Sequence, residues 1–286
     1  MEPENLEGWY EVIMNRIYYE SGDKKKLYLD RYPFWLQTGD FLNYGWIRNE
    51  RNERINGFKK RITEKEFLIT VFGNTDIEYA ENWNHIHDVF EKDICEKTQG
   101  KLYFGDWYLS CYIFASEKSG WEYGCNMHDS RYRLVTDYPL WVRQNTYNFN
   151  IYKATSTDNK RHAYKYAYRY ANGLSNTYII NPHFTDSNFK LIIYGPVTNP
   201  MVVIGENSYL VYIVLEAGER LEIDSRAGTV QKIQNNGVSV NAFHNRQKQR
   251  TFFQKIKPGR QSVNWSGNFA FDLVIYEERS EPKWSS

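Results

Sequence analysis

Phe189-Lys190-Leu191-Ile192-Ile193-Tyr194 alternates along its length and then stops at Gly195-Pro196, and the same event recurs through the last third of the chain. Val202-Val203-Ile204 runs into Gly205, Tyr209 to Leu215 into Gly218-Glu219, and Glu222-Ile223-Asp224 into Ser225-Arg226-Ala227-Gly228. Phe269 to Tyr276 closes the series ahead of Glu277-Glu278-Arg279-Ser280-Glu281-Pro282. Short strands at intervals of roughly 8–12 residues, with turn residues between them, predict a β-sandwich.

Upstream the pattern is also mostly strand. Ile17-Tyr18-Tyr19 and Leu27-Tyr28-Leu29 flank a turn at Gly22-Asp23 with Lys24-Lys25-Lys26. Phe67 to Phe72, Gly100 to Phe104, Trp107 to Ala115 and Arg131 to Val135 read as strands, and Gly105-Asp106 is a hairpin signal. One helix interrupts them. Thr75 or Asp76 can cap it, and Tyr79, Ala80, Trp83, Ile86, Phe90 and Ile94 recur at three- and four-residue spacing. That spacing predicts one stripe facing a sheet. The chain is therefore expected to be mainly β with one clear helix.

A length of 286 residues suits two domains. Ala163-Tyr164-Lys165-Tyr166-Ala167-Tyr168-Arg169-Tyr170 puts four tyrosines on one side of an extended segment, flanked by polar residues and by Asn172-Gly173. It reads as a linker or bridging strand over 154–176, between an N-terminal domain at 1–153 and the sandwich at 177–286. Residues 45–61 differ from all of this. They are charged and polar apart from a few residues, with Arg48, Arg51 and Arg54 around Ile55 and Phe58. Such a run predicts an exposed excursion from the N-terminal domain, with those five residues as an arm reaching a neighbouring subunit. The other reading is a loop that touches nothing, with Ile55 and Phe58 as stray surface residues.

Composition narrows the function classes. The chain has 24 Tyr, 16 Phe and 9 Trp, which fits both filled β cores and extended assembly surfaces. Net charge is +1, but residues 1–150 carry 19 basic and 24 acidic side chains against 17 and 11 in 151–286. Neither half has the concentrated basic stripe of a nucleic-acid binder. Cys95, Cys111 and Cys125 are odd in number and lack a Cys-x-x-Cys pair, which suits a reducing compartment and argues against a zinc site. Cys111 lies in an apolar run and is expected to be a buried small hydrophobe. The N-terminus Met1-Glu2-Pro3-Glu4-Asn5 opens no apolar run, so a soluble protein made in the cytoplasm is expected.

Catalytic constellations do not emerge. There is no Gly-x-Ser-x-Gly elbow, phosphate-cradling glycine loop or His-Glu-x-x-His, and His85 and His87 diverge around the helix. Neither catalytic residues, metal ligands nor a cofactor are expected. Asn264, Trp265 and Asn268 form the best local candidate for sugar recognition, so a carbohydrate-binding module is the second reading. His244-Asn245-Arg246 resembles sugar-holding residues of galectin-type sandwiches without the Trp and Glu that should follow. A hydrolase with a carboxylate pair is the third reading.

Taken in order, several of these stretches resemble the distal tail (Dit) proteins of long-tailed, non-contractile bacteriophages. They are Leu102 to Tyr112 after a helix ending Phe90-Glu91-Lys92-Asp93-Ile94, then Thr136-Asp137-Tyr138-Pro139-Leu140-Trp141 and the Tyr-rich bridge. In the second half, Ile193 to Pro200, Leu215-Glu216-Ala217-Gly218-Glu219 and Ile275 to Pro282 complete the likeness, which covers most of the chain. The resemblance implies an N-terminal α+β domain that forms a ring, followed by a galectin-like sandwich. It also implies a hexamer at the virion tail tip, assembled in the host cytoplasm. There the ring would join the tail tube protein to the tail-associated hub, or lysozyme-type, protein and carry the receptor-binding or baseplate proteins, with no membrane and no nucleic-acid recognition.

Overall fold

The computed structural model describes residues 16–151, 177–249 and 251–283. The chain is mainly β, with one α-helix among those residues. It divides into two compact units, Met1–Arg143 with Glu278–Ser286, and Gln144–Glu277. The expected linker at 154–176, with its tyrosine row, lies outside the described residues.

The first unit holds β1 (Ile17–Glu20), β2 (Lys26–Tyr28), β3 (Asp30–Arg31), β4 (Phe34–Gly39), β5 (Ile47–Arg51), β6 (Arg54–Lys59) and β7 (Thr63–Phe72). Helix α1 (Asp76–Cys95) follows, then β8 (Gly100–Phe104), β9 (Trp107–Glu117), β10 (Met127–Thr136) and the start of β11 (Trp141–Phe149). Hydrogen bonding runs in the order β2-β1-β8-β9-β10-β7-β4-β3. Its two terminal strands, β2 and β3, are separated only by Leu29. The Leu29 amide donates to the Ile17 carbonyl in β1 (2.9 Å), and its carbonyl accepts from the Leu36 amide in β4 (2.7 Å). One buried residue thus bonds to both ends of the sheet and curls it closed.

Alternation explains which side chains line the interior. Along β7, Lys65, Phe67, Ile69 and Val71 are buried at every second position. Along β9 the same holds for Leu109, Cys111 and Ile113. Helix α1 begins where the sequence predicts, with Thr75 Oγ1 accepting from the Glu78 amide (3.2 Å). Its buried line is Ile86, Val89, Phe90 and Asp93. Of the expected stripe, Ile86 and Phe90 reach the core, Tyr79 and Trp83 are half-buried, and Ala80 and Ile94 are exposed. The helix packs on β7 and β9, and Asn82 in its second turn donates to Phe72 O at the end of β7 (2.8 Å).

The second unit contains the rest of β11, then β12 (Thr177–Asn181), β13 (Phe189–Tyr194), β14 (Val197–Thr198), β15 (Met201–Ile204) and β16 (Asn207–Leu210). It continues through β17 (Val214–Leu215), β18 (Arg220–Asp224), β19 (Thr229–Ile233), β20 (Ser239–Asn241), β21 (Gly259–Trp265) and β22 (Phe271–Arg279). Strands β20-β19-β18-β13-β22-β11 oppose β12-β21-β15-β16 across one core. Phe189, Leu191 and Ile193 from one side meet Ile179, Val202 and Val263 from the other. This is the expected sandwich. The single strand expected over Tyr209 to Leu215 is instead broken, because Val211 bridges to Arg246 and the Tyr212 amide donates to Asn245 O (2.8 Å). At the C-terminal end, Glu278 accepts from Tyr138 Oη (2.7 Å), which ties Glu278 to the first unit.

Leu29 is fully buried at the point of closure. Leu29→Ala is expected to lower unfolding free energy by about 2–5 kcal/mol, the cost of a large-to-small change in a packed core. Denaturant unfolding followed by tyrosine and tryptophan fluorescence measures it, and an unchanged midpoint would show that closure does not depend on this side chain.

Candidate assembly interface

The charged segment that the sequence marks as an arm is a β-hairpin. Strands β5 and β6 pair with each other and with no third strand among the described residues. Their two-residue turn is Asn52-Glu53, both in the left-handed region at φ 52° and 60°. Two such residues make the tight turn whose twist matches paired strands. The alternative of an unstructured loop is thereby replaced by an ordered ribbon.

A register shift gives this ribbon two different faces. Arg48 pairs with Phe58 and Asn49 with Gly57, but Glu50 pairs with Ile55, leaving Asn56 as an extra residue in β6. Arg48 and Glu50 are two apart in β5 and share a face, as their ion pair confirms. Directly paired residues also share a face, so Phe58 and Ile55 lie together although they are three apart in sequence. They are 60% and 57% exposed. The other face carries Arg51 opposite Arg54 and Lys59 opposite Ile47. The five arm residues therefore do not form one cluster. Arg48, Ile55 and Phe58 share the apolar face, while Arg51 and Arg54 sit at the tip on the basic one.

The base of the hairpin is anchored. Lys65 is buried in β7, and its ammonium donates to the carbonyls of Asp40 (3.4 Å) and Asn43. Burial pulls its pKa below the ordinary lysine value, with the Asp40 charge opposing. Lys60 donates to Gly45 O (3.1 Å) and lies over the rings of Trp46 (4.3 Å) and Tyr44 (5.3 Å). Both rings are exposed, as is Ile62, so apolar surface continues from the ribbon to its root.

The other sequence-derived candidates are occupied elsewhere. Trp265 packs edge-on against Phe149 (5.5 Å) and Phe271 (5.3 Å), and its Nε1 donates to Phe269 O (3.2 Å). Asn268 accepts from Ser266, and Asn264 is half-buried opposite Val203 in the sheet. Trp265 is thus half-buried against the sandwich core, with its indole N–H engaged. Arg246 donates to Phe243 O (2.6 Å) and covers the Phe243 ring, and Asn245 donates to Tyr212 O (2.9 Å), so both side chains brace a turn. Cys111 is buried, which pushes its thiol up to about 12, while Cys95 and Cys125 are exposed. Among the described residues no group of three or more His, Cys, Asp or Glu is placed to hold a metal ion, and no helix is long and apolar enough to cross a membrane.

No protein-family model and no curated protein matches the chain. Solved structures do. A chain of the phage P2 baseplate in its activated conformation with Ca aligns at TM-score 0.59 and 16% identity, covering 94% of this chain and 100% of that one. A chain of the same baseplate with Sr aligns at TM-score 0.60 and 15% identity, covering 94% and 99%. The Dit protein of phage SPP1, described as a paradigm of the hub adsorption apparatus in phages infecting Gram-positive bacteria, aligns at TM-score 0.55 and 11% identity, covering 92% and 98%. The likeness is one of fold, and it runs through both units.

Two substitutions separate the anchor from the surface it presents. Lys65→Met strands the carbonyls of Asp40 and Asn43 and is expected to cost about 1–3 kcal/mol of stability. Phe58→Ala, at an exposed site, is expected to stay within about 0.5 kcal/mol of the parent. Chemical denaturation of both variants tests this, and equal effects would dissociate the hairpin root from Lys65.

Proposed function

We propose that this chain, whose fold is that of phage baseplate and Dit hub proteins, is a structural hub protein of a phage tail tip. The observation that carries the reading is the end-to-end alignment with those proteins, 94% of this chain against 100% of one and 92% against 98% of another. In this reading the first unit closes a ring, with six copies as the resemblance implies. The ring joins the tail tube to the tail-associated hub protein, and the sandwich unit serves as a platform for receptor-binding or baseplate proteins. The task is mechanical and assigns no catalytic step and no cofactor.

The hairpin supports the ring. A head-to-tail contact repeated about an axis needs two different patches on each copy, and a projecting ribbon is a natural first patch. Its two strands pair with no third strand among the described residues, which suits strand addition as well as side-chain docking. Exposed Ile55 and Phe58 supply apolar area, and Arg51 and Arg54 supply charge that steers encounter.

Deleting residues 50–58 removes the ribbon without touching either core cluster. The truncated chain is expected to keep the parent circular dichroism and to lose its ring. Light scattering coupled to size exclusion, with and without the tail tube protein, reads the outcome. A truncated chain that still assembles to the parent mass would remove the hairpin from the ring interface. A parent chain that stays monomeric under every one of these conditions would remove the ring itself.

A further inference from the structure

The hairpin has two unlike faces and an outer edge, and one stretch of the same chain matches all three. Strand β5 pairs with β6 on one side and with no other strand among the described residues. One face of the ribbon is apolar through Ile55 and Phe58, and the charges there, Arg48 and Glu50, pair with each other. The other face is basic through Arg51, Arg54 and Lys59, which make no ion pair among the described residues.

Residues 1–15, outside the described residues, read Met1-Glu2-Pro3-Glu4-Asn5-Leu6-Glu7-Gly8-Trp9-Tyr10-Glu11-Val12-Ile13-Met14-Asn15. Their side chains carry four Glu and no Lys or Arg, a charge of −4. Residues 45–61 carry six basic and two acidic side chains, a charge of +4. From Leu6 onward the sequence alternates. In an extended chain Leu6, Tyr10, Val12 and Met14 share one side, and Glu7 and Glu11 share the other with Trp9 and Ile13. Trp, Tyr, Val and Ile also favour strands. Laid beside the ribbon in one parity, such a strand sets Tyr10 and Val12 on the side of Ile55 and Phe58, and Glu7 and Glu11 on the side of Arg51 and Arg54. A slip of one residue would exchange the two sides and put carboxylates among the apolar residues, so the match fixes its own parity.

Topology brings this stretch to the right place. The Arg16 carbonyl accepts from the Gly105 amide (3.0 Å), and the Phe104 ring next to it lies 6.4 Å from Trp141. Trp141 lines one small cavity with Tyr44, Gly45 and Lys60 at the root of the hairpin. The chain thus enters β1 at the end of the sheet from which the hairpin departs. Residues 6–14 must run toward the root to reach Arg16, whereas β5 runs from the root to the turn at Asn52-Glu53. The two are antiparallel along β5, while pairing with β6 would be parallel and less stable. Nine residues at about 3.3 Å each span about 30 Å, more than the five residues of β5 require. A tether this short favours the chain's own hairpin over a neighbour's.

We infer that residues 6–14 add to the outer edge of β5 of their own chain as a third, antiparallel strand. The added strand widens the apolar face of the ribbon rather than burying it, and supplies cross-strand carboxylates to Arg51 and Arg54. The inference goes beyond the ring reading and does not rest on it.

The test uses the full chain with a photo-reactive phenylalanine analogue in place of Tyr10. Equal amounts of this chain and an isotopically heavy parent chain are dissociated, mixed, reassembled and irradiated, and the cross-linked peptides are sequenced by mass spectrometry. The expected product joins position 10 to light residues between 45 and 61. Joining to heavy residues of that segment, to any other segment, or to none overturns the inference. A second variant, Glu7→Lys with Glu11→Lys, is expected to lower the yield of that product about fivefold or more, because like charges then face each other across the strands. Adding Arg51→Glu and Arg54→Glu is expected to restore it. A yield that the first pair of substitutions leaves unchanged, or that the second pair fails to raise, also overturns it. Light scattering on the same samples reads the ring separately: a monomer that gives the light product removes the ring and keeps the strand, and a ring without the product does the reverse.

Discussion

The architecture of the first unit turns on two backbone hydrogen bonds made by one residue. A sheet with open ends exposes unpaired amides and carbonyls to any passing strand. Here the last strand on each side is only two or three residues long, and both meet at Leu29, whose amide and carbonyl bond to β1 and β4. Among the described residues the β5–β6 hairpin stands outside this closed sheet and pairs with no third strand.

Closure alone does not position the helix. That role falls to Asp93, which is 1% exposed near the C-terminal end of α1. Its carboxylate accepts from Tyr19 Oη (2.7 Å) and from the Gly22 amide (2.9 Å), linking the helix to β1 and the turn after it. A buried carboxylate is costly unless its lone pairs are met, and here two donors from a different element meet them. Burial drives the Tyr19 hydroxyl far above its ordinary pKa, with further contributions from Cys111 and Asp93, so it remains a donor. The packing is close enough to require glycine, since a Cβ on Gly100 would come within 2.0 Å of Tyr19 Oη. The earlier turns are held as well, since Asn82 donates to Phe72 O (2.8 Å) and Trp83 packs on the core beside it.

Local signals were enough for most of this fold. Turn residues and alternation locate the sandwich strands, and Thr75 and the three-and-four spacing locate α1. What they could not show is pairing at a distance. Nothing in Leu27-Tyr28-Leu29-Asp30-Arg31 announces that its middle residue closes a sheet, because that depends on the curl of strands far away in sequence. The break after Leu210 is likewise set by residues 245 and 246. The helix stripe was right in period but too broad in consequence, since Ala80 and Ile94 fit the spacing without meeting a wall. The arm was legible as an excursion and not as a ribbon. Asn52-Glu53 lacks the glycine that usually marks such a turn, and the run of charges masked two strands. The contacts of Trp265 with Phe149 and Phe271 were not legible either, because composition reports an aromatic residue and not what its ring meets.

The extra residue in β6 is the step that gives the arm its chemistry. Without it, Ile55 and Phe58 would fall on opposite faces, since residues three apart in a regular strand alternate. Each face would then carry one isolated apolar side chain among charges, the ordinary condition of a protein surface. The bulge turns Ile55 over and sets it beside Phe58, with the Arg48–Glu50 ion pair alongside. Pairing those two charges leaves that face with little net charge. The unneutralised Arg51 and Arg54 are left on the reverse face and at the tip, where they can stay in water. Exposed charges of that kind govern how fast partners meet, and covered apolar area governs how long they stay. A single register shift thus sorts apolar and basic side chains onto the two faces of one ribbon.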